Sequence, residues 1–192
     1  MDNTNIQVDR LIATVTLPVY QMMIGEYEKF NLKNLIIDYR KKYPNGDRKL
    51  PSGAKDNVGA WVSARTTHKV DKRFQSFATI QERILKRLYL DMTGRELDFV
   101  CDELWIAQYE KGDSTTIHNH IPFHWSSVFY VDVERGCAPL LLGDVEESVL
   151  EVQPKNGMLV MFPAWITHAV LPTLSKRTII ASNFYSKLIL NS

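Results

Sequence analysis

The fold is indicated by the segment from residue 154 to residue 168, which is Pro154-Lys155-Asn156-Gly157-Met158-Leu159-Val160-Met161-Phe162-Pro163-Ala164-Trp165-Ile166-Thr167-His168. A glycine turn opens this segment, an apolar strand follows, and a proline ends the strand shortly before a histidine. The segment therefore predicts a buried strand that leads directly into a candidate metal ligand.

Short predicted strands lie on both sides of this segment, from Leu97 to Tyr185. They are rich in Val, Ile, Phe, Tyr and Trp, and turn sequences such as Lys111-Gly112-Asp113 and Gly143-Asp144 separate them. The predicted strands are residues 104–110, 116–120, 125–133, 139–142, 148–152, 158–162, 168–171 and 177–185. Because strands at this spacing are typical of a sandwich or barrel, we predict an α+β fold with a double-stranded β-helix (jelly-roll, cupin-like) core.

Amphipathic helices are predicted in the first half of the chain. One begins near Asn31 and ends before Pro44-Asn45-Gly46, and a second, with one apolar stripe, runs from about Asp71 to Met92. We expect both to pack on one sheet of a single domain, residues 1–192. In this scheme residues 1–96 give helical support and the first strands, and residues 97–186 form the metal-binding β core. The polar loop 45–57 is interpreted as a lid.

The composition excludes several classes of protein. The 192 residues are 45% apolar and have a formal net charge of +1, which suits one globular core and gives no field that would attract nucleic acid. Only two cysteines occur, so a disulfide framework is excluded. The polar N-terminus lacks the features of a signal peptide, and no apolar run is long enough to span a membrane. We predict a cytoplasmic protein without nucleic-acid or membrane partners and leave a homodimer open.

Three histidines and one arginine form the candidate site. His118 and His120 are two residues apart, so on a strand they point to the same face, close enough to bind one metal at about 2.1 Å per nitrogen. A jelly roll can bring His168 beside them, because its opposed strands run antiparallel across the barrel mouth. Arg177 interrupts an otherwise apolar strand, and a guanidinium that points inward needs an anionic partner.

The order of these motifs resembles that of the 2-oxoglutarate- and Fe(II)-dependent oxygenases, in particular a small bacterial and phage branch. The resemblance rests on Tyr109-Glu110-Lys111-Gly112-Asp113 before the His-x-His pair, on the glycine, strand, Phe-Pro and histidine of residues 157–168, and on Arg177. It extends back to Val58-Gly59-Ala60-Trp61-Val62-Ser63 and covers most of the chain.

The resemblance implies a role for each site residue. His118 and His168 would be iron ligands, His120 would occupy the third ligand position, and Arg177 would bind the distal carboxylate of 2-oxoglutarate. Three further residues fall where such proteins line the co-substrate pocket: Tyr109, Tyr130 and Asn183. The implied reaction uses Fe(II) (or another divalent metal), 2-oxoglutarate and dioxygen, and couples decarboxylation of the co-substrate to hydroxylation of an unknown substrate.

The identity of the third ligand stays open at this point. Most of the larger family has Asp or Glu at the position of His120. Three neutral imidazoles would leave the full +2 charge on the metal and change its metal preference. Asp144 or Asp113 could supply a carboxylate instead, with His120 supporting the ligands from outside.

Two other classes of protein fit parts of the pattern. A cupin has the same fold, and its two motifs would use His118, His120, His124 and His168 in a non-oxoglutarate dioxygenase, an isomerase or a small-molecule binder. This reading does not account for Arg177. A jelly roll that serves only as a structural module would bind no metal. Such a role does not explain why His118, His168 and Arg177, which are costly to bury, lie together at one end of the barrel.

Overall fold

The computed structural model describes residues 18–25, 30–46, 56–144 and 148–187, without the side chains of residues 144, 148 and 149. The strands in these ranges are β1 (Tyr20–Met23), β2 (Asn57–Val58), β3 (Trp61–Val62), β4 (Phe99–Tyr109), β5 (Ser114–His118), β6 (Trp125–Val133), β7 (Leu140–Asp144), β8 (Ser148–Val152), β9 (Met158–Pro163), β10 (His168–Val170) and β11 (Arg177–Ser186). The helices are α1 (Leu32–Lys42), α2 (Thr67–Val70) and α3 (Gln75–Thr93), with a 3-10 turn at Lys72–Phe74.

The strands form two sheets of antiparallel neighbours. The larger sheet has the order β1-β9-β6-β11-β4-β3, and the smaller sheet has the order β2-β5-β10-β7-β8. From β4 onward the chain crosses repeatedly between the two sheets, which is the winding of a jelly roll. The predicted α+β fold with a double-stranded β-helix core is confirmed.

The larger sheet has an apolar core on each of its faces. Side chains alternate across a strand, so Leu104 and Ile106 of β4 pack with the helices, whereas Trp105, Ala107 and Tyr109 face the smaller sheet. Buried residues of α1 and α3 join the first of these cores. The helices therefore cover the outer face of one sheet, as predicted, and the inner face is left for the site.

Element boundaries differ from the predicted ones mainly at the ends. The strands 125–133 and 148–152 agree with the prediction, while β4 begins earlier, at Phe99, because it pairs with β11 along nearly its whole length. The second helix begins later than predicted, since Asp71 lies in extended backbone and its side chain accepts the Arg73 N–H at 3.1 Å. Strands were expected within residues 1–96, but the positions of the short strands β1, β2 and β3 were not predicted.

Some predictions fall outside the described residues. The proposed lid is described only at its two ends, because residues 47–55 are not described. That residues 1–192 form one domain also stays a prediction. No helix in the described part of the chain is long and apolar enough to cross a membrane.

The turn between β4 and β5 directs the chain toward the candidate site, and Asp113 holds it. One oxygen of the Asp113 carboxylate accepts the Glu110 N–H at 2.8 Å. The other lies where a Cβ on Gly59 would be, and Gly59 has a φ of +84°. Asp113 is thus a turn-forming residue. Its carboxylate accepts a hydrogen bond from the main chain and packs against a glycine.

Gly59→Ala is expected to lower the free energy of unfolding by about 2 kcal/mol or more, because it combines a positive φ with overlap against Asp113. Gly94→Ala is the matched control: its φ is +67°, and its added Cβ would meet nothing within 4 Å. It should cost about 1 kcal/mol. Urea unfolding of both variants measures the difference, and equal losses would contradict a role for the Asp113 contact.

Candidate metal centre

The pairing of β5 with β10 brings two of the predicted ligands together. His168 lies directly opposite His118 in this antiparallel pair, and on its other side β10 pairs with β7. The centroids of the two imidazole rings are 4.3 Å apart. The register of two short strands therefore creates the contact that the spacing of the histidines in the sequence predicted.

His120 lies just after β5, and the same corner of the chain holds it. Its backbone N–H donates to the carbonyl of Ala164 at 2.8 Å, and its ring is buried. The ring centroid is 4.8 Å from that of His118 and 4.9 Å from that of His168. One ligand atom from each of the three histidines lies within 4.8 Å of the others, a group compact enough to hold one metal ion.

Hydrogen bonds fix which nitrogen of two rings is available to a metal. His118 Nδ1 lies 2.7 Å from the Thr116 carbonyl, and His168 Nδ1 lies 3.2 Å from the Ile166 carbonyl. Because a carbonyl oxygen only accepts, each Nδ1 carries the proton and each Nε2 keeps its lone pair. Such bonds to backbone carbonyls are the usual support of metal-binding histidines.

Burial keeps His168 in its neutral form. Loss of solvation, with a smaller contribution from the neighbouring His118, lowers its pKa to about 3. A neutral imidazole is the form that binds a metal, so His168 is held ready as a ligand across the physiological pH range.

Two of the alternative ligands do not reach the cluster. Asp113 holds the β4–β5 turn and lies outside the group of three histidines. His124 accepts the backbone N–H of Ser186 at Nδ1, 3.0 Å away, and lies outside the group of three histidines. The cupin set of four histidines is therefore not formed. The side chain of Asp144, the other predicted carboxylate, lies outside the described residues.

The three histidines line a cleft between the two sheets. Its volume is about 510 Å³, counted out to its open mouth, and its walls combine the histidines with polar and apolar side chains of both sheets. Three of the predicted site residues line it as well: Tyr109, Tyr130 and Arg177. The fourth, Asn183, does not line the cleft.

Arg177 is a buried cation without an ion-pair partner among the described residues. It is 3% exposed, and Nη1 donates to the Ala138 carbonyl at 3.3 Å. Its guanidinium stacks over the ring of Tyr109, 4.2 Å from the centroid, while the buried Nε has no hydrogen-bond partner. A guanidinium this deeply buried is costly unless an anion binds to it.

Tyr130 presents a second unsatisfied donor to the same cleft. Its side chain is fully buried, and its hydroxyl has no hydrogen-bond partner. Burial raises the pKa of this hydroxyl to about 12, so it stays protonated at neutral pH. Tyr109, by contrast, is already engaged, since its hydroxyl donates to Asn57 Oδ1 at 2.6 Å.

The opposite end of the cleft carries a chain of hydrogen bonds that the sequence did not predict. Arg65 Nη1 donates to Glu103 Oε2 at 3.1 Å, and Asn183 Nδ2 donates to the same oxygen at 2.8 Å. Ser126 Oγ then donates to Asn183 Oδ1 at 2.8 Å. Of these residues, Arg65 and Ser126 line the cleft, so Asn183 contacts it through Ser126.

Trp105 connects this end to the histidines. The Arg65 guanidinium lies 4.4 Å from the centroid of the indole, and the ring of His120 lies edge-on to the indole at 5.7 Å. Arg65 Nη2 also contacts Asp56 at 3.4 Å. The one available signal in the sequence was alternation on β4, where Glu103, Trp105 and Tyr109 share a face.

Comparison with known proteins establishes the fold. No protein-family model and no curated protein matches the chain. A prolyl hydroxylase from Trichoplax adhaerens, solved with a hypoxia inducible factor peptide, is similar over 92% of this chain and 88% of its own (TM-score 0.69, 13% identity). A Pseudomonas putida prolyl-4-hydroxylase is similar over 88% of this chain and 93% of its own, with a TM-score of 0.63 and 17% identity. SnoK is a non-heme alpha ketoglutarate dependent carbocyclase from nogalamycin biosynthesis. It is similar over 88% of this chain and 79% of its own, with a TM-score of 0.65 and 13% identity. The chain thus shares the fold of these oxygenases.

Proposed function

We propose that this protein is a 2-oxoglutarate- and Fe(II)-dependent dioxygenase that hydroxylates an organic substrate. The observation that carries the proposal is Arg177, a buried guanidinium without a carboxylate partner among the described residues, in one cleft with three convergent histidines. This combination suits a ligand that chelates a metal at one end and carries a carboxylate at the other. The similar structures are two prolyl hydroxylases and an alpha ketoglutarate dependent enzyme, which supports the same assignment.

The donor set fits a divalent metal such as Fe(II). His118, His120 and His168 would hold it, and in His118 and His168 the bond from Nδ1 to a carbonyl leaves Nε2 for the metal. Imidazole nitrogens are suitable ligands for Fe(II), and three protein ligands leave positions for other molecules. When bound, the metal supplies the activation of dioxygen, which side chains alone do not provide.

The far end of the cleft fits the distal carboxylate of 2-oxoglutarate. Arg177 would donate to it from Nε and its free Nη protons, and Tyr130 would add its neutral hydroxyl. Tyr109 keeps the guanidinium in place by stacking against it. Asn183 would act on the bound molecules through Ser126. Together these residues would bind and orient the co-substrate. Its carboxylate would accept hydrogen bonds from the donors that have no partner in the protein alone.

The substrate is proposed to bind at the end of the cleft that holds Arg65 and Ser126. The apolar wall between the two ends, which includes Trp105 and Val128, would exclude water from the reacting groups. The similar structures include a prolyl hydroxylase solved with a peptide fragment and an enzyme of nogalamycin biosynthesis. Substrates therefore differ widely on this fold, and the substrate has to be found by a screen.

The remaining proposals come from the sequence. We propose a single domain spanning residues 1–192, a cytoplasmic location and a small-molecule co-substrate, with a homodimer left open. Neither nucleic acid nor a membrane is proposed as a partner.

Arg177→Met is expected to weaken 2-oxoglutarate binding about 30-fold or more while metal binding is retained, because a buried charge-assisted contact is lost. Anaerobic titration of the Fe(II)-loaded protein with 2-oxoglutarate measures this through the visible charge-transfer band of a chelated 2-oxo acid. Arg65→Met, at the opposite end of the same cleft, is the control and should keep its affinity. Unchanged affinity in Arg177→Met would remove the main support for the proposal.

His168→Ala should abolish tight metal binding, because it removes the most buried of the three imidazoles and its fixed Nε2. Isothermal titration of metal-free protein with Zn(II) measures the loss. His124→Asn is the matched control, since it keeps an acceptor for the Ser186 N–H and lies outside the cluster. If His124→Asn lost the metal as completely as His168→Ala, the cupin set would be favoured again.

Tyr130→Phe is expected to act in opposite directions on stability and on binding. It should raise the free energy of unfolding of the ligand-free protein by about 1 kcal/mol, because it removes a buried hydroxyl without a partner. It should weaken 2-oxoglutarate binding about tenfold, because a hydrogen bond to a carboxylate is lost. Thermal unfolding and the same anaerobic titration measure the two effects, and a loss of stability with unchanged affinity would contradict the assigned role.

A further inference from the structure

We infer that His120 sets the metal selectivity of this centre, favouring borderline ions such as Zn(II), Ni(II) and Fe(II) over the hard ion Mn(II). The inference rests on the metal site of the proposed function but not on its co-substrate. It concerns what an imidazole does at a position where a carboxylate would make a harder site.

The backbone fixes the position of His120 on both sides. Its N–H donates to the Ala164 carbonyl at 2.8 Å, and its own carbonyl accepts the Phe123 N–H at 2.9 Å. The residue is therefore part of a hydrogen-bonded corner between the two strands that carry His118 and His168. A side chain at this position is directed at the cluster by the main chain.

Packing fixes the ring of His120 as well. His120 as a residue is 9% exposed, and the indole of Trp105 lies edge-on to its imidazole with the centroids 5.7 Å apart. Trp105 is itself covered by the Arg65 guanidinium on its face. Moving the ring away from His118 and His168 would open a gap beside the indole, so the imidazole is held as a metal donor.

The described carboxylates near the cleft have other contacts. Asp56 contacts Arg65 Nη2 at 3.4 Å, Glu103 binds Arg65 and Asn183, and Asp113 holds the β4–β5 turn. Among the described residues, the compact group of ligand atoms consists of the three imidazoles. In this geometry the third donor atom of the group is therefore an imidazole nitrogen of His120.

The replacement of oxygen by nitrogen has a definite chemical consequence. Imidazole suits Zn(II), Cu(II), Ni(II) and Fe(II), whereas carboxylate and water suit Mn(II) and Mg(II). A neutral donor also leaves the full charge of the metal uncompensated by the protein, which disfavours ions that bind mainly through electrostatic attraction to carboxylates. Both effects lower the affinity for Mn(II) more than that for Zn(II).

The test compares the wild-type protein with His120→Glu, which places a carboxylate at this position, and with His120→Gln, a neutral control of the same length. Dissociation constants of the metal-free proteins for Zn(II) and Mn(II) are measured by competition with a chelating dye. Circular dichroism establishes that each variant is folded. We expect the ratio of Mn(II) to Zn(II) dissociation constants to fall about tenfold or more in His120→Glu.

A spectroscopic measurement counts the donors independently of affinity. Paramagnetic resonance of the Cu(II)-loaded proteins should show nitrogen couplings from all three histidines in the wild type and one fewer in His120→Glu. Identical nitrogen couplings, or an unchanged ratio of dissociation constants in the folded variant, would overturn the inference. Asp144→Asn is measured alongside, and a shift in selectivity there with none in His120→Glu would assign the third donor to Asp144.

These outcomes are distinguishable from failure of the proposed function. A wild-type protein that selects Zn(II) over Mn(II) through His120 but shows no charge-transfer band with 2-oxoglutarate would keep the inference and lose the oxygenase assignment. A protein that binds 2-oxoglutarate with unchanged metal selectivity in His120→Glu would do the reverse.

Discussion

The antiparallel register between β5 and β10 is the constraint on which the candidate site depends. It sets His118 directly opposite His168, and the Cα atoms of such an opposed pair are only about 5 Å apart. The corner that leads into β10 also supplies the Ala164 carbonyl to the N–H of His120, so the backbone that carries one histidine holds another. A slip of one residue would turn His118 to the outer face of the smaller sheet and disperse the cluster. Three ordinary imidazoles become a chelating group because two short strands meet in one register.

The cleft has a different electrostatic character at each end, and β11 sets the distance between them. Arg177 and Asn183 are six residues apart on one face of this strand, which corresponds to about 20 Å. At the first end a guanidinium is buried without a described acid, whereas at the second Arg65 lies between two carboxylates. An anion is therefore attracted to the Arg177 end and gains little at the other. A molecule with a carboxylate that is not bound to the metal would therefore be oriented with that carboxylate toward Arg177, before it makes any specific contact.

Sequence patterns predicted the parts of the fold that have a clear periodicity or composition. The long helix was predicted from its apolar periodicity, and the strand of residues 125–133 from its β-branched and aromatic residues between turn sequences. The candidate pair His118 and His120 was predicted from the two-residue period of a strand, but β5 ends at His118 and the corner that follows positions His120. The strands β1 to β3 could not be located within residues 1–96, because two to four residues are too few for a period to be seen. Asp113 had to be left open as an alternative ligand, because a turn-forming carboxylate and a metal ligand look alike in a sequence. His124 had a suitable spacing, but its backbone N–H bonds to Phe184 of the larger sheet, which takes it away from the cluster. Arg65 lies on a connection, and only the tertiary fold brings it to the cleft.

The third donor determines how strongly the ligands of this cleft depend on one another. In the proposed enzyme, with an imidazole at residue 120, a dipositive metal and the Arg177 guanidinium would both face the cleft, and the compact group of described ligand atoms would give the metal no carboxylate. A dianion that contacts both charges removes this repulsion, and by linkage it must then tighten metal binding by the same factor by which the metal tightens its own binding. A carboxylate at residue 120 would offset part of the charge in advance and weaken that coupling. In the proposed enzyme a neutral third donor would therefore do more than alter metal preference, because it would strengthen the coupling between metal binding and co-substrate binding.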